Sequence, residues 1–174
     1  MKLYITGSVG SGKSTLAEQI SKITDIKCTH LDNIIFVKDK NTTWGNNKRP
    51  AAEIDKTFYS VIGQNDFIIE DTGRERFIDG MRSADKIIVL DIPLRTRKYR
   101  IIKRWIKQNL GLEKCGYRPK LIVLKSMFRW IRNYESGKDG TKSRIKQFEP
   151  KVIYLRNQKE IDDFLYNLTE KVLY

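Results

Sequence analysis

The sequence holds one histidine, two cysteines and four prolines in 174 residues. A lone His30 cannot build a histidine metal centre by itself. Cys28 and Cys115 stand far apart with no partner motif around either, so a reduced, cytoplasmic protein is expected. No apolar run approaches the roughly 18–20 residues of a membrane span. The first residues, MKLYITG, read directly into a strand and not into the charged, apolar and small-residue regions of a secretion signal. No membrane partner is expected, and neither an internal repeat nor a low-complexity segment is present. Acidic residues are also scarce, but only in one half. Residues 1–87 hold 13 Lys/Arg against 12 Asp/Glu, residues 88–174 hold 21 against 9, and 95–146 alone hold 17 against 3. That segment favours an anion: a polyphosphate, a nucleic acid or an anionic surface.

What is present reads as strands alternating with helices. Strands are expected over 2–6, 26–29, 67–70, 86–91 and 151–155. Helices are expected over 14–23, 32–37 (with Asp32 as N-cap), 51–62, 74–83, 94–110, 120–134 and 159–171. A polar, turn-rich loop spans 38–50, a Gly/Pro turn 111–119 and a glycine-bearing loop 135–141. The alternation predicts an α/β fold with a parallel sheet covered on both faces.

The first strand breaks into Gly7-Ser8-Val9-Gly10-Ser11-Gly12-Lys13-Ser14, which fits G-x-x-x-x-G-K-[ST]. The glycines let the backbone curl so that successive N–H groups face inward. The helix that follows adds its free N–H groups and the positive end of its dipole. Lys13 places a cation on the outer phosphates and Ser14 offers a hydroxyl to Mg²⁺, while Thr15 packs or caps beside them. The strand before and the helix after are the context this motif needs to bind a nucleoside triphosphate.

Phosphoryl transfer needs alignment, a metal and positive charge around the moving group, and little covalent help. The segment FIIEDTGR supplies an acid at a strand end, so Glu70 or Asp71 is the candidate metal carboxylate. Arg97, Arg100 and Arg104 fall on one stripe of a helix opposite Leu94, Ile101, Ile102 and Trp105. Lys125, Arg129 and Arg132 repeat the spacing in the next helix, and the two stripes read as an arm that closes over phosphates. Asp32 either orients and deprotonates an alcohol acceptor or caps a helix. Trp44 either stacks on a base or packs.

GSVGSGKST, Asp32 in HLDN, FIIED, and ADKIIVLDIP followed by Arg100 and Arg104 together resemble the adenylate-kinase-like P-loop kinases. Their order resembles more closely the bacterial topology modulation (FlaR-like) proteins, over nearly the whole chain. The resemblance implies a three-layer fold with a five-stranded parallel core, an acceptor-binding region near 32–62 and a helical lid near 100–145, all in one domain. It implies that Glu70 is the strand-end acid and that Arg74 binds the acceptor, with Arg49 beside it. It further implies that Arg100 and Arg104 grip the donor phosphates and that Arg156 lies near the adenine. Asp71 stands where such kinases commonly have glycine, and that departure leaves the metal assignment open between two acids. The reading is an ATP- and Mg²⁺-dependent kinase for a small molecule or nucleotide. Its alternative is a nucleic-acid-associated ATP-binding protein that uses the basic 95–146 region. The acceptor, the choice of ATP over GTP and the oligomeric state are not legible.

Overall fold

A computed structural model describes residues 1–39, 41–115 and 119–173, with side chains to residue 170. Strands β1 (Lys2–Gly7), β2 (Cys28–His30), β5 (Phe67–Glu70), β6 (Lys86–Leu90) and β7 (Val152–Leu155) form one parallel sheet in the order β2-β5-β1-β6-β7. Side chains alternate across it. Tyr4, Phe67, Ile69, Ile87 and Val89 face α2 (Leu31–Ile35), α3 (Ala51–Ile62) and α4 (Ile78–Ser83). Leu3, Ile5, Ile68, Ile88 and Leu90 face α1 (Lys13–Thr24) and α8 (Gln158–Leu173). Both faces are covered, which is why the central strands β1, β5 and β6 read as near-continuous apolar runs, while the edge strand β2 is half-buried. Each fully buried aliphatic or aromatic side chain contributes about 1.5–3 kcal/mol to this core.

Four expectations change. Residues 32–37 do not form one helix: α2 ends at Ile35, and the β-branched and aromatic residues that follow start strand β3 (Phe36–Lys38). It pairs antiparallel with β4 (Asn46–Lys48), so the expected loop 38–50 is largely a small hairpin, with Lys40 outside the described residues. Asp32 lies in the first turn of α2 and is not its N-cap, a position held by His30. A short helix, α7 (Thr141–Lys146), follows the 135–141 loop where none was expected.

The basic region forms α5 (Leu94–Asn109) and α6 (Leu121–Glu135), which pack chiefly on one another. The expected turn between them includes 116–118, which lie outside the described residues. Arg97 does not share a solvent face with Arg100 and Arg104. It is 2% exposed, donates from Nε to Ile92 O at 2.7 Å and pairs with Glu135 of α6. Ile102 in turn is 41% exposed and not buried with Ile101. One guanidinium is drawn inward because a carbonyl and a carboxylate await it, and the helix keeps a second, outward apolar stripe.

Candidate active site

All five strands are parallel, so their C-terminal ends gather along one edge, where open α/β sheets hold their ligands. Register places Gly7 beside Leu90, and Glu70 beside both Ile5 and His30. The chain turns from β1 into α1 through residues 8–12. A Cβ on Gly7 (φ 145°) would lie 2.7 Å from the Leu90 carbonyl. A Cβ on Gly10 (φ 77°) would lie 3.0 Å from the Arg97 carbonyl and from Ile101. Only glycine fits this passage, and it lets the loop curl against α5. Gly12 leads the helix with no side-chain cap, which leaves the first N–H groups of α1 to a ligand.

Lys13, Ser14 and Glu70 converge over this loop. Lys13 is buried, with Nζ 3.4 Å from Ser8 O and 3.7 Å from Glu70 Oε1. Ser14 is exposed and its hydroxyl donates to Glu70 Oε2 at 3.3 Å. Burial works to raise the Glu70 carboxyl, but the hydrogen bond from His30 and the Lys13 charge outweigh it and hold the group below its usual value. His30 reaches Glu70 through Nδ1 at 2.8 Å and Glu18 through Nε2 at 2.7 Å. Hydrogen bonding to Cys28 and then Glu70 lifts its pKa to about 11. A lone His30 gives no metal centre by itself, and composition and spacing do not mark it for this positioning role. The legible signal was its place at the end of a strand two residues before Asp32.

A hydroxyl and a carboxylate beside the loop fit Mg²⁺, which is held by one or two protein oxygens together with phosphates and waters. Among the described residues no cluster of three or more His, Cys, Asp or Glu is suited to hold a metal by itself. Asp71 is differently placed. Its side chain is fully buried, and Oδ2 accepts from Tyr4 Oη at 3.1 Å, Gly73 N at 2.8 Å and Arg74 N at 2.7 Å. Oδ1 accepts from the Arg74 guanidinium, which also pairs with the exposed Asp32. Arg144, absent from the sequence-derived site, donates to Gly73 O at 3.0 Å and so moors α7 to the same turn. Arg49 pairs with Glu53 one turn along α3.

On the donor side, Arg100 Nη1 donates to Ser11 O at 2.8 Å, directly on the loop. Arg104 faces away toward Glu113, at 3.2 Å, and is more than half exposed. Thr15 is exposed on the first turn of α1. Arg156, just past β7, lies over the Tyr154 ring at 5.3 Å. Tyr154, Val89 and Asp91 line a cavity of about 480 Å³ under α7 at the same sheet edge. Trp44 packs on Trp130 of α6, with ring centroids 5.3 Å apart, so the hairpin touches the arm.

The loop, the strand-end acid and the strand order decide the architecture. This is the fold of P-loop kinases. A shikimate kinase from Bacteroides thetaiotaomicron superposes with a TM-score of 0.56 at 17% identity, covering 100% of this chain and 99% of its own. A sugar kinase from Janibacter superposes with a TM-score of 0.52 at 18% identity, covering 99% and 91%. No family model and no curated protein matches the sequence, so the narrower likeness to topology modulation proteins rests on motif order alone. Among the described residues no helix is long and apolar enough to cross a membrane.

Proposed function

We propose that this protein is a small-molecule kinase that transfers the γ-phosphoryl group of ATP to a neutral hydroxyl compound. The observation that carries the reading is the closure of Lys13 and Ser14 of a glycine loop onto Glu70 at the neighbouring strand end. Backbone amides of residues 8–14 and the Lys13 ammonium hold the donor phosphates. Ser14 and Glu70 would hold Mg²⁺, which supplies charge neutralisation on the β- and γ-phosphates when bound. Asp71 is left to build the turn, because four hydrogen bonds already occupy its carboxylate.

The acceptor class follows from how the cations on that side are matched. Arg74 faces Asp32 and Asp71, Arg49 faces Glu53, and Arg76 faces Asp55. A dianionic phosphate acceptor needs unmatched arginines, and none of these three is unmatched. A neutral alcohol needs a carboxylate that accepts its proton, and Asp32 supplies one, oriented by Arg74. In the transfer, the acceptor O–H gives its proton to Asp32 as the oxygen bonds to the γ-phosphorus. The bond from that phosphorus to the β,γ-bridging oxygen breaks, and ADP leaves. Arg100 on the loop, joined by Arg104 when the arm closes, stabilises the charge on the transferring group. Arg156 lies beside the adenine over Tyr154. The sugar kinase and the shikimate kinase that share the fold are small-molecule kinases, which supports the reaction class.

The test is ADP release in Mg·ATP over a panel of sugars, other polyols, nucleosides and nucleoside monophosphates. Stimulation by a neutral hydroxyl compound, abolished by Lys13→Ala and reduced at least a hundredfold by Asp32→Asn, is the expected result. Stimulation by nucleoside monophosphates alone refutes the acceptor class. Absence of any stimulation, with no ATP binding, refutes the kinase reading.

A further inference from the structure

Residues 94–135 hold 13 Lys/Arg and 2 Asp/Glu, so the α5–α6 arm carries +11 of the chain's net +13. Its two acids are both paired inside the arm, Glu135 with the buried Arg97 and Glu113 with Arg104. A single bound ATP cannot account for such an excess. The outward face of α5 is not simply basic, either. Tyr99, Ile102, Ile106 and Leu110 are 63%, 41%, 45% and 67% exposed, and their spacing of three, four and four residues places them on one stripe. The opposite face of the helix, with Arg97, Ile101 and Gln108, is the buried one. Exposed Lys98, Lys103 and Lys107 flank the stripe, Arg95 continues its line one turn toward the N-terminus, and none of the four has an ion pair among the described residues. Leu112, just past α5, and Leu121 and Ile122, at the start of α6, are also exposed, at 73%, 61% and 60%.

We propose that this outward face docks on an anionic lipid bilayer, with the apolar stripe in the headgroup–acyl boundary and the flanking cations on the lipid phosphates. An aliphatic stripe edged by lysine and arginine is the pattern of a helix that lies in the membrane interface, and the long cationic stems reach outward from it. Clustered basic residues add an attraction specific for anionic lipid. Two other occupants fit less well. A second copy of the arm would bring two strongly positive surfaces together. A nucleic acid would set its phosphates on the centre of the face, where Ile102, Ile106 and Leu110 stand, with Tyr99 the one aromatic ring on the stripe for a base. The inference does not rest on the kinase reading.

The experiment is flotation of the full chain with vesicles of phosphatidylcholine alone and of phosphatidylcholine mixed with phosphatidylglycerol, at low and high salt, beside duplex DNA binding. The expected result is binding to the phosphatidylglycerol vesicles alone, weakened by salt. The double variant Ile106→Ser, Leu110→Ser is expected to lower the partition coefficient at least tenfold while its melting temperature stays within two or so degrees of wild type. Tyr166→Ser, an equally exposed aromatic on α8, is expected to bind vesicles as wild type does. Absence of binding to phosphatidylglycerol vesicles at low salt overturns the proposal. So does vesicle binding that the double variant leaves intact, and so does tight DNA binding without vesicle binding. None of these outcomes bears on ADP release, so the two readings fail separately.

Discussion

Replacing Asp71 by asparagine separates the two adjacent acids that the sequence leaves equivalent. The side chains have the same shape, but asparagine carries no charge and offers one acceptor oxygen in place of two. With that oxygen toward Tyr4 Oη and the Gly73 and Arg74 amides, the new NH₂ meets the Arg74 guanidinium. With the amide reversed, the NH₂ faces two backbone N–H donors at 2.8 and 2.7 Å. Either way at least one charge-assisted hydrogen bond is lost, about 1.5–3 kcal/mol, and in the reversed orientation two backbone donors also lose their acceptor. Arg74 is one-third exposed and keeps Asp32, so its own share is softened by water. The total is about 2–4 kcal/mol, which for a chain of this size lowers the melting temperature by about 5–15 °C. The assay is thermal unfolding by circular dichroism, beside a magnesium titration of ADP release in the variant at low temperature. Asp71→Asn is expected to melt early with an unchanged magnesium requirement, while Glu70→Gln is expected to raise that requirement. An Asp71→Asn protein that melts with wild type but needs more magnesium refutes the division of roles.

Gly7→Ala would force a methyl group to within 2.7 Å of a backbone carbonyl at a φ of 145°. A loss of at least about 2 kcal/mol in chemical unfolding and weaker ATP binding by calorimetry are expected, and wild-type values for both would contradict the packed loop. Arg97→Ala removes both bonds of a buried guanidinium, takes its donor from the Ile92 carbonyl and leaves Glu135 with Lys142 and water. It is expected to lower stability by about 2–4 kcal/mol, whereas Arg129→Ala on the exposed face of α6 is expected to change it by less than about 0.5; equal effects would place Arg97 outside. His30 has its native pKa raised from 6.5 to about 11, so its stabilisation is complete below pH 6.5 and is lost as pH rises through about 11. In metal-free buffer the stability gap between wild type and His30→Asn should therefore narrow across that range, and a gap that stays constant or widens would show that His30 is not held protonated.

The central strands β1, β5 and β6 were legible because they are buried on both faces and read as apolar runs, as in KIIVL and FIIE, whereas the edge strand CTH is half-buried and carries no such run. The glycine loop was legible because backbone that must approach a phosphate admits few residue types. The β3–β4 hairpin was not, since Phe36–Lys38 and Asn46–Lys48 are three-residue strands whose pairing is decided by contacts across a polar turn. Arg97 was misplaced for a related reason. Helical spacing alone put it with Arg100 and Arg104, but a position between two faces goes wherever partners wait, and the Ile92 carbonyl and Glu135 come from other elements. Asp71 and Glu70 could not be told apart by sequence because they differ only in which way the chain leaves the strand.

The placement of partners also bears on whether one arm could serve both of the surfaces proposed for it. Glu70 is shared by Lys13 at 3.7 Å and by His30 at 2.8 Å, so in the proposed reading the Lys13 ammonium still serves the phosphates, beside the loop amides and what the arm brings. Arg100 is what it brings: the guanidinium already touches Ser11 O. Tyr99, one residue earlier, is turned about 100° around the helix and lies 63% exposed on the outward stripe. Because Arg100 is turned about 100° from Tyr99 and onto Ser11, that arginine is left to the nucleotide and the outward stripe to a charged surface in the two proposals. Closure and docking then use different side chains, so Arg100→Ala should lower turnover without releasing the protein from vesicles, and the Ile106→Ser, Leu110→Ser protein should do the reverse. Loss of both properties in either variant would mean that the arm works as one undivided element.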